Sequence, residues 1–247
     1  MRIIISGYTG KMGRMLEEAV QKNPEQYQIA AEYAPGAERT RSHAYSQLGM
    51  IEEEADVLID FSSHLATEAV CNYCEERGIP AVICTTGQTA AEKERILDLS
   101  RHVPVFMSGN MSLGIAVLSD LVHTAVRMFP DADVEIVEKH HNQKVDVPSG
   151  TALMLAKAVQ EERPDSVINI GRHLDGKRDP REIGIHSLRM GNEVGTHEVY
   201  INTGNECLML CHEAQSRAVF ADGALKAAAY LVQQKPGFYT MKELLKE

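Results

Sequence analysis

Tryptophan is absent from this 247-residue chain, and aromatic residues reach only 5%. Stacking platforms for single-stranded nucleic acid are built from such rings, so that class of function is disfavoured. Positive charge is also scarce: the formal net charge is −10, which opposes phosphate-backbone binding as a main role. Long apolar runs are missing, and none approaches the roughly 20 residues that cross a bilayer. The opening "MRIIISGYTG" has neither the longer apolar core nor the small-residue cleavage site of a signal peptide. The expectation is a cytoplasmic protein with no membrane or nucleic-acid partner. The five cysteines are an odd number and do not suggest a disulfide framework. Cys71 and Cys74 form a C-x-x-C inside an amphipathic helical pattern, with no second such pair to complete a metal site. No metal is expected, and all five thiols read as reduced and mostly core. Glycine/serine linkers, internal repeats and low-complexity tracts are lacking too.

What is present is ordinary globular composition, 44% hydrophobic and 24% charged, in a regular order. "RIIIS" is a short β-branched run followed by glycines and an amphipathic stretch through "RMLEEAVQK". "QIAAEY", "ADVLIDF", "IPAVICTTG" and "VPVFMSGN" read as further strands, with "HLATEAVCNYCEERG" and "AAEKERILDLS" as helices between them. Such alternation predicts a Rossmann-like, doubly wound parallel sheet with helices on both faces. Ligands collect at the carboxyl ends of these strands. Here those ends read Gly7, Glu32, Phe61–Ser62, Thr85–Thr86 and Ser108–Asn110, which are mostly small or polar.

The first of these ends carries most information. "GYTGKMG" places Gly7, Gly10 and Gly13 between a strand and a helix. Glycines there permit a tight turn and close backbone approach, and the helix amino end faces a pyrophosphate. A ribose-binding acid is expected about 20 residues on, and Glu32 fills that place. Lys11 is placed to meet a phosphate. A carboxylate accepts from a free ribose 2′-hydroxyl and repels a 2′-phosphate, so the reading leans to NADH; Arg39 or Arg41 keeps NADPH open.

The second half changes character. After a helical stretch from about Ser112, "DVEIVEKH", "EIGIHSLRMG", "THEVYIN" and "ECLMLCHEA" read as strands, and "SGTALMLAKAVQEE" as the one long helix among them. This predicts a second, α+β domain with a mixed or antiparallel sheet over residues 112–217. The closing helices return to the first domain, which then comprises 1–111 and 218–247.

One span of the second half is crowded with chemistry. "EKHHNQKVDVPSGTAL", from Glu138 to Leu153, leaves a strand, crosses an irregular loop and enters a helix at Ser149–Thr151. Taken singly, each feature has a plain structural use: a satisfied histidine, a capping serine or threonine. Together they place His140, His141 and Lys144 beside a helix amino end suited to a carboxylate. Histidine exchanges protons near neutrality, and lysine stabilises developing negative charge or supplies a proton. Beside a dinucleotide domain, hydride transfer to an anionic acceptor is the economical reading.

At these residues the chain resembles the 4-hydroxy-tetrahydrodipicolinate (dihydrodipicolinate) reductase family of the diaminopimelate route to lysine. The likeness spans nearly the whole chain: "GYTGKMG", "IDFS", "CTTG", "SGNMSLG", the H-H-x-x-K-x-D-x-P-S-G-T run, "RMGNEVGTHEV" and "HEAQSRAVFADGAL". It implies NAD(P)H-dependent reduction of a cyclic dicarboxylate with loss of water. By the same resemblance, His140 would be the proton donor and acceptor and Lys144 a proton donor. His141, Ser149, Gly150 and Thr151 would hold substrate carboxylates in a substrate-binding and tetramerisation domain. The cofactor would be lined by Gly7, Tyr8, Thr9, Gly10, Lys11, Met12 and Gly13, by Glu32, by Cys84, Thr85 and Thr86, and by Ser108, Gly109, Asn110 and Met111. Arg217 would close over it, and the assembly would be a homotetramer. Two departures from the family pattern are Cys84, where glycine is common, and Tyr33 after Glu32, where some members carry arginine. Two other readings stand beside this one: another two-domain dehydrogenase, and a dinucleotide sensor without catalysis.

Overall fold

In the computed structural model, residues 1–37 and 41–246 are described; Arg39 lies outside them. The chain divides into two compact units, Met1–Ser112 with Arg217–Glu247, and Leu113–Ser216.

The first unit begins β1 (Arg2–Ser6), α1 (Lys11–Gln21), β2 (Gln28–Tyr33) and β3 (Ala44–Tyr45). It continues β4 (Val57–Asp60), α2 (Thr67–Arg77), β5 (Ala81–Ile83), α3 (Ala90–Leu99) and β6 (Pro104–Met107). The second unit contains α4 (Leu113–Met128), β7 (Asp133–His140), α5 (Gly150–Glu162), β8 (Val167–Ile170), β9 (Glu182–Arg189), β10 (Gly195–Asn202) and β11 (Cys207–Ala214). The chain then returns through α6 (Ala218–Leu231), β12 (Gly237–Tyr239) and α7 (Met241–Leu244) to finish the first unit.

The first sheet has the order β12-β6-β5-β4-β1-β2-β3, and every pairing is parallel. Strand order therefore reverses at β1, and the switch point lies between β1 and β4. This is the doubly wound arrangement that the alternating pattern predicts. Ile3, Ile4, Ile5, Leu58 and Ile59 are fully buried, as parallel strands covered on both faces require. The short β3 and β12, at the two edges, have no counterpart in the sequence reading.

The second sheet has the order β11-β10-β7-β9-β8 and is mixed: β7–β9 and β8–β9 are parallel, β7–β10 and β10–β11 antiparallel. In β7 alternate residues are buried, and Val134 and Ile136 pack with Ile183, Ile185, Val199 and Ile201 against Leu118, Val122, Leu155 and Val159 of α4 and α5. Each such aliphatic side chain contributes about 1.5–3 kcal/mol by leaving water. Strand β8, "VINI", is a further element the sequence reading does not name.

The thiols are mostly core, as expected: three of the five are buried. Cys71, Cys74 and Cys84 are buried, but Cys207 and Cys211 are exposed. Both pair in register with Asn202 and Glu198 on the side of β10 facing away from the α4/α5 core. An apolar-looking strand at a sheet edge does not bury all its thiols. Among the described residues, no helix is long and apolar enough to cross a membrane, and no cluster of three or more potential metal ligands occurs.

Helix α6 sits so close to the end of the first sheet that a Cβ on Gly223 would lie 1.7 Å from the Met111 carbonyl oxygen. Gly223→Ala is therefore expected to lose about 1–3 kcal/mol of stability in urea unfolding. Gly49→Ala, where a Cβ meets nothing within 4 Å, is the control. Equal stabilities for the two variants would refute the close contact.

Candidate active site

The carboxyl ends of the first sheet bring the predicted glycine turn against the switch point. Gly7 has φ +85°, and a Cβ on it would lie 2.7 Å from Ser62 Cα. A Cβ on Gly13 would lie 2.3 Å from the Gly7 carbonyl oxygen, so the first turn of α1 is pressed onto β1's end. Gly10 is the N-cap of α1, and no side chain caps that helix. Its leading amides at Lys11 and Met12 thus suit a phosphate, and a dinucleotide fits this turn.

Behind the turn lies a buried carboxylate. Asp60 accepts from Ser6 Oγ (2.6 Å), Ser62 Oγ (2.6 Å), Ser62 N–H (3.2 Å) and Thr85 Oγ1 (3.3 Å). It ties the ends of β1 and β4 to the turn after β5. Burial pushes its carboxyl above the usual range, against the pull of those donors. Gln88 donates to Thr85 Oγ1 at 2.7 Å and extends the network. Cys84 is buried beside it, and burial likewise raises its thiol well above the ordinary value. Thr86 packs near Gly109, and Ser108, Asn110 and Ser112 close the turn after β6 by hydrogen bonds of 2.7–3.2 Å. Met111 is buried, and Arg217 is the N-cap residue of α6.

Glu32 ends up more enclosed than a ribose-binding acid requires. Its side chain is 0% exposed and meets Arg41 (3.1 Å) and His43 (3.4 Å). Arg41 also pairs with Glu17 at 2.6 Å. A cavity of about 610 Å³ opens here, lined by Tyr8 and Thr9 of the turn together with Arg14, Glu17, Glu18 and Arg41. That volume is within the range of cofactor and ligand pockets.

In the second unit the inner face of the sheet changes chemistry along β7. Two levels are aliphatic, and then Glu138 stands level with Ser187 and His197, and His140 with Arg189. Glu138 has a fully buried side chain and accepts two N–H bonds from Arg189, at 2.7 and 2.8 Å. It also accepts from Ser149 N–H at 3.1 Å and is hydrogen-bonded to His140 Nδ1. Burial alone would raise this carboxyl; the hydrogen bonds led by His140 and Arg189 outweigh it and hold it well below the usual range.

Ser149 caps α5, its hydroxyl accepting from Ala152 N–H at 3.1 Å, and lies 3.0 Å from His197 Nε2. The His197 ring stands edge-on to His140 with centroids 5.2 Å apart. Burial, then repulsion from His140, push His197 down to about 3 against the opposing pull of Glu138. His197 is therefore neutral at physiological pH. Gly195 completes this wall: a Cβ on it would lie 3.0 Å from His140 Nε2.

The structure thus brings His140, Ser149 and the start of α5 at Gly150 and Thr151 together. His141 follows the strand, its N–H donating to Glu193 O at 2.8 Å. Lys144 lies in the same loop, its ammonium 2.9 Å from Asp146. Glu138, Arg189, Gly195 and His197 stand in stretches that the sequence reading quotes, but it assigns none of them to the site. Glu138 had a signal, standing two residues before His140 on a strand of period two. The other three enter through strand pairing, which the sequence does not print.

Fold and site together define a class: proteins that join a Rossmann-like parallel-sheet unit, with a glycine turn at its switch point, to an α+β unit carrying titratable groups at a strand end. Two family profiles narrow it, "Dihydrodipicolinate reductase, N-terminus" matching residues 1–111 and "Dihydrodipicolinate reductase, C-terminus" matching 114–245. The 4-hydroxy-tetrahydrodipicolinate reductase of Caldanaerobacter subterraneus subsp. tengcongensis is 45% identical, covering 100% of this chain and 99% of its own length. That of Clostridium novyi is 39% identical, covering 99% and 98%. A solved structure, a dipicolinate-bound dihydrodipicolinate reductase from Paenisporosarcina sp. TG-14, shares the fold with a TM-score of 0.82 at 22% identity, covering 97% of each chain. The chain belongs to the dihydrodipicolinate reductase family.

Because His197 is neutral when folded and titrates near 6.5 when unfolded, the unfolded chain binds the extra proton between about pH 6.5 and 3. Stability is therefore lost as pH falls through that window, by up to roughly 1.4 kcal/mol per pH unit from this residue. His197→Asn should remove about one proton from the pH slope of the unfolding free energy between about pH 6 and 4. A slope unchanged by the substitution would show that the ring is not buried in its neutral form.

Proposed function

We infer that the chain is an NAD(P)H-dependent 4-hydroxy-tetrahydrodipicolinate reductase. It reduces the cyclic (2S,4S)-4-hydroxy-2,3,4,5-tetrahydrodipicolinate to tetrahydrodipicolinate in lysine and diaminopimelate synthesis. One hydride and one proton enter, and water leaves. The observation that carries this reading is the buried carboxylate–imidazole pair Glu138–His140 beside the amino end of α5, in a chain whose whole length matches this family.

The first unit is the dinucleotide-binding domain. The amides of Lys11 and Met12 hold the pyrophosphate, with Gly7, Tyr8, Thr9, Gly10 and Gly13 shaping the turn. Cys84, Thr85, Thr86, Ser108, Gly109, Asn110 and Met111 form the other strand ends, and Arg217 stands at the start of α6. The nicotinamide, when bound, supplies the hydride. The second unit is the substrate-binding and tetramerisation domain. The amino end of α5, with Ser149, Gly150, Thr151 and His141, receives the substrate carboxylates, where a helix dipole favours negative charge. His140 moves a proton at Nε2, and Lys144 donates one after leaving Asp146. The side of β11 that carries Cys207, Met209 and Cys211, facing away from the α4/α5 core, supports pairing of such sheets in a homotetramer. The cytoplasm, where NAD(P)H is regenerated, is the compartment this chemistry calls for.

NADH is the better coenzyme on charge. Glu17 and Glu18 balance Arg14 and Arg41 in the cavity lining, and Glu17 together with the buried Glu32 already occupies Arg41. Glu17→Gln removes one negative charge and half of Arg41's pairing. It should lower the KM for NADPH relative to NADH by roughly fivefold, a shift of about 1 kcal/mol, read from initial rates with each coenzyme. A ratio that does not move would detach this cavity from coenzyme choice.

Lys144→Ala tests the chemistry itself. In an assay fed by the preceding synthase, turnover should fall by at least about a hundredfold, with NADH affinity nearly unchanged. Near-normal turnover would count against the role given to Lys144. No NADH consumption by the parent protein with synthase product would favour another dehydrogenase, or a sensor if the cofactor still binds.

A further inference from the structure

The groups that reach Glu138 are all donors, and besides the Ser187 hydroxyl they are nitrogens. Arg189 donates through both terminal nitrogens, Ser149 through its backbone N–H, and His140 approaches with Nδ1. The arginine fork and the amide keep the carboxyl ionised, and an ionised carboxylate only accepts. His140 can satisfy it only with a proton on Nδ1. In the neutral ring Nε2 is then a bare lone pair.

The surroundings of the ring lead to the same atom. Gly195 faces Nε2, and a Cβ there would crowd it at 3.0 Å. On another side stands the edge of His197, itself engaged with Ser149. Arg189 goes further: the same terminal nitrogen that meets Glu138 donates to the Asp146 carbonyl oxygen at 2.8 Å. Asp146 is the residue whose carboxylate holds the Lys144 ammonium. One guanidinium therefore braces the partner of the histidine and the partner of the lysine.

We propose that Glu138 is the positioning residue of this site: with Arg189 as its counter-ion it selects the Nδ1–H tautomer of His140, leaves Nε2 to exchange the proton, and is joined through Arg189 to the loop that carries Lys144. This rests on the reading of His140 as the proton-transfer group. Neither Glu138 nor Arg189 touches the reacting atoms; both act through their neighbours, as a buried carboxylate orients an imidazole in acyl-transfer triads.

Glu138→Gln supplies the test. A glutamine must set its NH2 against a donor in this nest. Arg189 and the Ser149 amide cannot accept; with the NH2 on the oxygen site that meets His140 the ring yields, its Nδ1 accepting and its proton moving to Nε2. Two-bond 15N–1H spectra of the full-length protein, assigned through loss of the His140 signals in His140→Gln, report the tautomer of the neutral ring directly. The parent protein should show Nδ1–H and the Glu138→Gln variant Nε2–H. Turnover in the variant should fall at least about tenfold, with NADH affinity by fluorescence titration within about twofold. Glu138→Asp, which keeps the anion, should retain the Nδ1–H form. An Nε2–H ring in the parent protein overturns the proposal even if no variant folds. A tautomer indifferent to Glu138→Gln overturns it as well. A tautomer that flips while turnover holds leaves the positioning intact and removes His140 from the proton transfer.

Discussion

A charge without water is the constraint around which the second unit is arranged. The Glu138 carboxylate projects from the middle strand into the same face that two levels earlier is aliphatic. An isolated ion there would cost several kcal/mol, so each oxygen must be met by donors. That demand explains why Arg189 reaches back from the end of β9, why the loop before α5 delivers the Ser149 amide, and why His140 turns its Nδ1 inward. Removing one partner would strand the rest, since a partly satisfied buried network is worse than none.

The first unit meets the same problem with different means. Asp60 is also a buried carboxylate at a strand end, but its side-chain donors are the hydroxyls of Ser6, Ser62 and Thr85. Neutral donors do not offset burial, and its carboxyl is pushed up; the guanidinium and imidazole around Glu138 push that one down. The balance of burial against the donors decides the sign. Asp60 thus serves to tie three strand ends into a fixed crest, whereas Glu138 is a permanent anion able to orient a ring. Glu32 is a third variant, its burial raising the carboxyl while Arg41 draws it back.

Much of this was readable before any coordinates. The spacing of Gly7, Gly10 and Gly13 after a β-branched run, and the alternation of strand and helix that follows, announce a doubly wound sheet. The alternation in "DVEIVEKH" announces a half-buried strand with Glu138 and His140 on one side. Short edge strands escaped because two to four residues carry no period: "AY", "VINI" and "GFY" join their sheets through neighbours. That the exposed thiols are Cys207 and Cys211 was not legible, because an apolar run says nothing about which side of an edge strand has a cover. Glu32 was placed correctly at its strand end, yet the partners that enclose it, Arg41 and His43, come from beyond a loop whose path no local pattern dictates.

Local residue order settled what repeats along the chain: the turn at Gly7–Gly13, the helix start at Ser149, and the titratable groups of the 138–151 span, because each depends on neighbours within a few residues. Register settled the remainder. Arg189 and His197 lie about 50 and 60 residues from Glu138, and only hydrogen-bonded pairing of β9 and β10 with β7 sets them beside it. A histidine in a sequence is a group that titrates; which of its nitrogens holds the proton is decided by the strand next door.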